Sequence, residues 1–167
     1  DYSTAVTAPS DQTKTGYSFT GWYSDSSCAT PYVFTTPVTR PISIYAGWAE
    51  NRPTSVEIDG SNSVDAGETT ELTATVKASG SQTLLDKYNA VTWTSSDDAV
   101  ATVSDDGAVT GVKAGTATIT ATVAERSSVS STFEMTVTVP VPQSIAVTPN
   151  AKSLKVGEEV ALSAAVS

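Results

Sequence analysis

From Thr116 to Val123 the chain reads Thr-Ala-Thr-Ile-Thr-Ala-Thr-Val, an unbroken alternation of hydroxyl and apolar side chains. A period of two places Ala117, Ile119, Ala121 and Val123 on one face and the four threonines on the other. Wound as a helix, the same residues would scatter around the circumference and bury no continuous face, so the segment is an antiparallel strand with one side wet. The alternation returns in Leu72-Ala74-Val76, in Val91-Trp93 and in Phe133-Met135-Val137-Val139. Turn residues separate these runs at Ala66-Gly67, Ser79-Gly80, Asp106-Gly107 and Ala114-Gly115, and Asp106-Gly107, set between Val103 and Val109, has the chemistry of a tight hairpin. About seven short strands with no helix of three turns predict a two-layer antiparallel β-sandwich for residues 51–140. Charged residues are only 16% of the chain, and Ser and Thr replace them on the solvent face.

A length of 167 residues suggests one domain, but comparing the chain with itself changes that count. Pro53-Thr54-Ser55-Val56-Glu57-Ile58 returns as Pro142-Gln143-Ser144-Ile145-Ala146-Val147. Val64-Asp65-Ala66-Gly67-Glu68 returns as Leu154-Lys155-Val156-Gly157-Glu158, and Leu72-Thr73-Ala74-Thr75-Val76 as Leu162-Ser163-Ala164-Ala165-Val166. The two glycines stand 90 residues apart (157 minus 67), the length of one immunoglobulin-like sandwich. Residues 141–167 therefore hold the first two strands of a truncated second copy, and two strands without a covering sheet are marginal in water.

Residues 1–50 differ in kind. They carry Tyr17, Phe19, Trp22, Tyr23, Tyr32, Phe34, Tyr45 and Trp48, whereas residues 51–140 carry only Tyr88, Trp93 and Phe133. The boundary falls at Ala49-Glu50-Asn51-Arg52-Pro53, short, polar and closed by a proline that resists helix continuation. Tyr17, Phe19, Trp22, Phe34, Tyr45 and Trp48 are expected to fill the core of this small module, which has little else to bury. Trp93 is expected in the core of the sandwich.

The ordered motifs carry two resemblances. Val56-x-Ile58, Val64-x-x-Gly67-Glu68, Val91-Thr92-Trp93-Thr94-Ser95-Ser96-Asp97, Val100-Ala101-Thr102-Val103 and Gly107-x-Val109-Thr110-Gly111-Val112-Lys113-Ala114-Gly115-Thr116-Ala117-Thr118-Ile119 resemble the bacterial group 2 immunoglobulin-like domain across residues 53–139. Residues 142–166 resemble the opening of another copy. The stretch Ala78 to Asn89 is longer and more polar than that pattern has. Thr13-Lys14-Thr15-Gly16-Tyr17-Ser18-Phe19-Thr20-Gly21-Trp22-Tyr23, then Cys28 to Phe34, then Ile42-x-Ile44-Tyr45-Ala46-x-Trp48, are similar to the Listeria-Bacteroides (internalin B-type) repeat, a small β-grasp unit. In that family an opening strand precedes the stretch that here begins at Asp1, so distortion is expected over residues 1–12, where backbone donors lack a partner. The expected fold class is all-β: an Ig-like antiparallel β-sandwich preceded by a small, truncated β-grasp-like module.

Charge and residue inventory exclude much chemistry. With 18 acidic against 9 basic residues, a net charge of -9 repels phosphate, so nucleic acid and anionic membrane are poor partners. There is no His and one Cys, which removes His-based acid–base catalysis, Ser-His and Cys-His nucleophiles, and His/Cys metal sites within these residues. No apolar run approaches the roughly 18 residues that span a bilayer. Cys28, without a partner for a disulfide, is read as a buried small hydrophobe rather than a free thiol. The beginning at Asp1, with neither initiator Met nor signal sequence, reads as a piece of a longer chain.

Few residues invite a site. Asp97-Asp98 and Asp105-Asp106 offer hard oxygen ligands suited to Ca²⁺, but no Asp-x-Asp-x-Asp-Gly loop is present, and Asp is also the ordinary residue of exposed turns. No metal or cofactor is therefore assigned. Tyr23 and Tyr32 each neighbour an aromatic of opposite strand parity, which leaves them as candidates for stacking on a sugar ring. The inventory implies no enzyme. The resemblances imply an extracellular spacer or adhesion module, monomeric, of a bacterial surface or secreted protein, with the neighbouring modules as partners and a host surface protein or polysaccharide as a possible ligand. The alternative is a glycan-binding accessory of a secreted carbohydrate-active enzyme.

Overall fold

The computed structural model describes residues 4–80, 82–140, 145–148, 153 and 155–166. Strand β1 (Tyr17–Tyr23) and strand β2 (Tyr45–Glu50) form an antiparallel hairpin, the regular part of the first module. Eight strands then make two sheets. They are β3 (Pro53–Gly60), β4 (Ser63–Asp65), β5 (Thr69–Ala78), β6 (Val91–Ser95), β7 (Ala101–Val103), β8 (Ala108–Gly111), β9 (Gly115–Val123) and β10 (Ser130–Thr138). One sheet has the order β4-β10-β9-β6 and the other β3-β5-β8-β7. The chain is all-β among the described residues, and the only helical element is a single 3₁₀ turn at Asp86–Tyr88. No helix among them is long and apolar enough to cross a membrane.

The alternating segment 116–123 is the centre of the core. Ala117, Ile119, Ala121 and Val123 of β9 are all buried, facing Leu72, Val56, Val109 and Ala101 of the other sheet within one apolar cluster. Register explains the choice of sizes. Ala121 lies opposite Trp93, so a small residue leaves room beside the buried indole, while Ala117 lies opposite Met135. Leu72, Ile119 and Met135 are the largest fully buried side chains, and each contributes about 1.5–3 kcal/mol by leaving water. The predicted hairpin forms at Asp106-Gly107: Val103 pairs with Val109, and the amide of Ser104 donates to the carbonyl of Ala108 at 2.9 Å.

The strand that periodicity did not reveal is β4. Its three residues are too few to show an alternation, and it pairs in parallel with β10, Val64 beside Val137. This is the element by which the chain leaves the β3 sheet and joins the other one.

The two segments that share the repeated sequence also share a pairing pattern. β11 (Ile145–Thr148) and β12 (Ser163–Val166) pair antiparallel with Ile145 opposite Val166 and Val147 opposite Ala164. In the full copy Val56 lies opposite Val76 and Ile58 opposite Ala74, the same register between matched residues. The matched glycines both take φ 91°, a value that favours a residue without Cβ, and both turns close with one bond: Glu68 N–H to Asp65 O and Glu158 N–H to Lys155 O, each at 3.0 Å. Within these residues Ile145, Val147, Val156 and Leu162 are exposed.

The first module is loosely filled. Phe19 makes edge contacts with Trp22 at 5.5 Å and with Trp48 at 5.6 Å, yet Tyr17, Phe19, Trp22, Phe34 and Trp48 are only half-buried. Tyr45, expected inside, is exposed, because two strands give it one face to cover and no second sheet. Cys28, expected to be buried, is half-buried at φ 54° in a tight turn that leaves its side chain near the carbonyl of Ala46, 3.9 Å away. Residues 5–13 form no regular strand, and Thr4 makes an isolated bridge to Val38. Residues 1–3 of the expected distorted stretch lie outside the described residues.

Candidate functional site

The two acidic pairs sit at opposite ends of β7. Asp97 and Asp98 lie in the loop before it, Asp105 and Asp106 in the hairpin after it, and an intervening extended strand of three residues spans roughly 10 Å. Each pair also has local work. Asp97 Oδ1 accepts the Ala99 amide at 2.9 Å, and the Asp97 carbonyl accepts the amides of Val100 and Ala101, closing the turn. Asp106 accepts the Ser104 hydroxyl, which holds its carboxyl below the ordinary aspartate value. Among the described residues no three His, Cys, Asp or Glu side chains converge as a metal-ligand set. A shallow cleft of about 470 Å³ touches Asp105, Asp106 and Asn89, with Trp93 and Leu72 in its wall.

Tyr23 and Tyr32 are brought onto neighbouring backbones but given different surroundings. Tyr23 bridges to Pro31, and the Tyr32 amide donates to the carbonyl of Trp22 at 2.8 Å. The ring of Tyr23 lies across Gly47 of β2, so close that any β-carbon there would collide with it, and its hydroxyl donates to Thr20 Oγ1 at 3.2 Å. Tyr32 meets Phe34 edge-on at 4.8 Å and lines an apolar groove of about 300 Å³ with Val6, Pro9, Ile42 and Ile44. Tyr32 thus joins a concave apolar surface, whereas Tyr23 is tied down along the hairpin.

Two polar features escaped the sequence reading. Asp25 accepts the Ser27 hydroxyl, the Ala29 amide at 3.1 Å and the Thr30 amide at 2.8 Å. Those donors, the Ser27 hydroxyl foremost, lower its pKa from 3.8 to about 2. The signal was present as an Asp followed by Ser two residues on, the pattern of a side chain closing its own turn. The second feature is Glu50 at the end of β2. Its carboxylate receives Lys87 Nζ at 2.7 Å and the Tyr88 hydroxyl at 2.8 Å. Lys87 first and Tyr88 second hold the Glu50 carboxyl below its ordinary value, and Glu50 in turn raises the Lys87 ammonium. No local pattern announces this group, because its partners come from another strand connection.

Comparison with known proteins matches the arrangement that the motifs indicate. Residues 53–133 match the bacterial Ig-like domain (group 2), and residues 1–47 match the Listeria-Bacteroides repeat domain. An alpha-L-arabinofuranosidase of Bifidobacterium longum is 46% identical across 48% of this chain and 8% of its own length. A 3-O-alpha-D-galactosyl-alpha-L-arabinofuranosidase of the same species is 50% identical across 49% of this chain and 7% of its own. A lacto-N-biosidase of Bifidobacterium bifidum is 44% identical across 47% of this chain and 6% of its own. The chain thus spans less than a tenth of the length of these relatives, and the matches fall on the Ig-like segment alone.

Proposed function

We propose that these residues are a non-catalytic spacer and accessory unit of a multidomain bacterial protein that works outside the cell, at the surface or secreted. The observation that carries the reading is where the likeness to enzymes falls. Two arabinofuranosidases and a lacto-N-biosidase, named for two kinds of substrate, share the Ig-like segment, which amounts to 6–8% of their lengths. A segment common to enzymes of different specificity supports a role in holding or presenting domains rather than in choosing a bond to cleave. One aspartate of each pair, Asp97 and Asp106, bonds within its own turn, which fits the same reading. The partners of such a unit are the modules on either side of it.

A second reading rests on Tyr32. A half-buried aromatic at the wall of an apolar groove is a surface on which a sugar ring can stack, and a glycan-binding accessory would use it. Calorimetry and affinity electrophoresis of the chain with a panel of plant and host polysaccharides and matrix proteins separate the two. The spacer reading expects no retardation, no heat of binding and no release of reducing sugar. Retardation by one polysaccharide that Tyr32→Ala abolishes overturns it in favour of the second reading.

A further inference from the structure

Between β5 and β6 the chain makes a connection of 12 residues, 79–90, at the upper limit for a loop without a task of its own. Leu84, Leu85 and Tyr88 tie it to the sandwich core, Tyr88 being buried. Its outer side meets the first module. The Gly16 amide donates to Thr83 Oγ1 at 3.0 Å, Gln82 Nε2 donates to Ser18 Oγ at 2.6 Å, and Lys87 and Tyr88 both engage Glu50. Gly16 is buried, and a β-carbon in its place would run into the Leu85 side chain.

The covalent link fits the same seam. Only Asn51 and Arg52 separate β2 from β3, and Asn51 is 5% exposed. Its polar groups are engaged: the amide donates to Gly16 O at 2.9 Å, Oδ1 accepts the Ser18 hydroxyl at 2.5 Å, and Nδ2 donates to the Thr83 carbonyl at 2.8 Å. Asn51 thus bonds to both modules at once. Pro53 beyond it is fully buried. The cleft of about 380 Å³ alongside, bordered by Gln12, Lys14, Tyr17 and Gln82, is an edge of this seam, since Ser18, Asn51 and Gln82 within it spend hydrogen bonds on one another.

We propose that residues 82–88 are a docking surface whose partner is the module directly ahead in the chain, and that Asn51, Gly16 and Glu50 are its receptor, locking the two modules at one fixed angle. Modules joined in one chain move relative to each other by default unless the contact between them is substantial. Here a two-residue link keeps the effective concentration of each surface high, so even modest polar contacts hold without the entropic cost of bringing two molecules together. The inference goes beyond the spacer reading and stands or falls apart from it, because a stiff joint would serve either a spacer or a glycan-binding unit.

The test is a distance distribution between nitroxides, one in each module, at Val33→Cys and Glu125→Cys in a Cys28→Ser background of the whole chain. Both positions are exposed. The expected result is a single narrow distribution. Glu50→Lys, which sets two like charges together, about doubles its width, and adding Lys87→Glu restores it. Thr83→Ala broadens it as well. Amide spectra of both modules away from the seam stay unchanged in each variant, showing that each module remains folded. A broad or multiple distribution in the parent chain overturns the proposal. So does a width that neither Glu50→Lys nor Thr83→Ala changes.

Discussion

The β3–β5 ribbon and the β11–β12 ribbon pair alike and are buried differently within these residues. Register and turn agree between them, down to the glycine at φ 91° and the 3.0 Å bond that closes the turn. Burial does not agree: Val56 is 7% exposed and its counterpart Ile145 is 66% exposed. Pairing and turn shape are therefore written in the local sequence, while cohesion comes from the sheet laid over it. Ladder hydrogen bonds net only about 1 kcal/mol each against water, so a ribbon without cover has little to set against chain entropy.

The largest expected effect breaks the comparison at its core. Ile119→Ala should cost the sandwich about 2–5 kcal/mol in urea unfolding, because it opens a cavity where nothing can collapse. Ile145→Ala should leave the same transition in place. A comparable loss from Ile145→Ala would mean that the second ribbon is covered in solution.

Gly67→Ala and Gly157→Ala sharpen it further. Each forces an L-residue to φ 91°, at about 1–2 kcal/mol. The first should appear as a lower melting temperature of the sandwich. The second should be visible in these residues as altered chemical shifts of residues 155–158, whose neighbours Val156 and Leu162 are exposed.

The smallest effect tests whether any self-closed turn behaves this way. The Asp25 carboxyl titrates lower in the folded chain, about 2 against 3.8, so its contribution is complete above pH 3.8 and fades as the pH falls toward 2. Amide shifts of Ala29 and Thr30 should move through that window while the sandwich spectrum stays put. Shifts that follow the global acid transition instead would show that the turn is not autonomous.

Period two carried most of the sandwich: β9, the seat of Trp93 and the Asp106-Gly107 hairpin were readable because each depends on neighbours a few residues away. β4 was not, being three residues long and paired with a strand some seventy residues later. Tyr45 was misjudged because parity says which residues share a face but not whether anything lies above that face. Of the candidate site, residue type pointed to Tyr23 and Tyr32 alike, and only the folded chain separates a ring laid over Gly47 from one set in a groove. Glu50 and Asn51 looked like linker residues, since Tyr88 and Thr83, which give them their role, are more than thirty positions away.

The parallel pairing of β4 with β10 has a mechanical consequence. Tension applied along the chain enters the sandwich at β3, which is paired with β5, reaches β4 from the N-terminal side of Ser63, and leaves on the C-terminal side of Thr138. Two parallel strands pulled this way slide past each other. The bonds at their ends, from the Thr136 amide to Asn62 O at 2.9 Å and from the Ala66 amide to Thr138 O at 2.8 Å, are then loaded together instead of opening one after another. Forced unfolding is governed by the unfolding rate and not by equilibrium stability, and it is on that rate that the shear geometry of this pair acts.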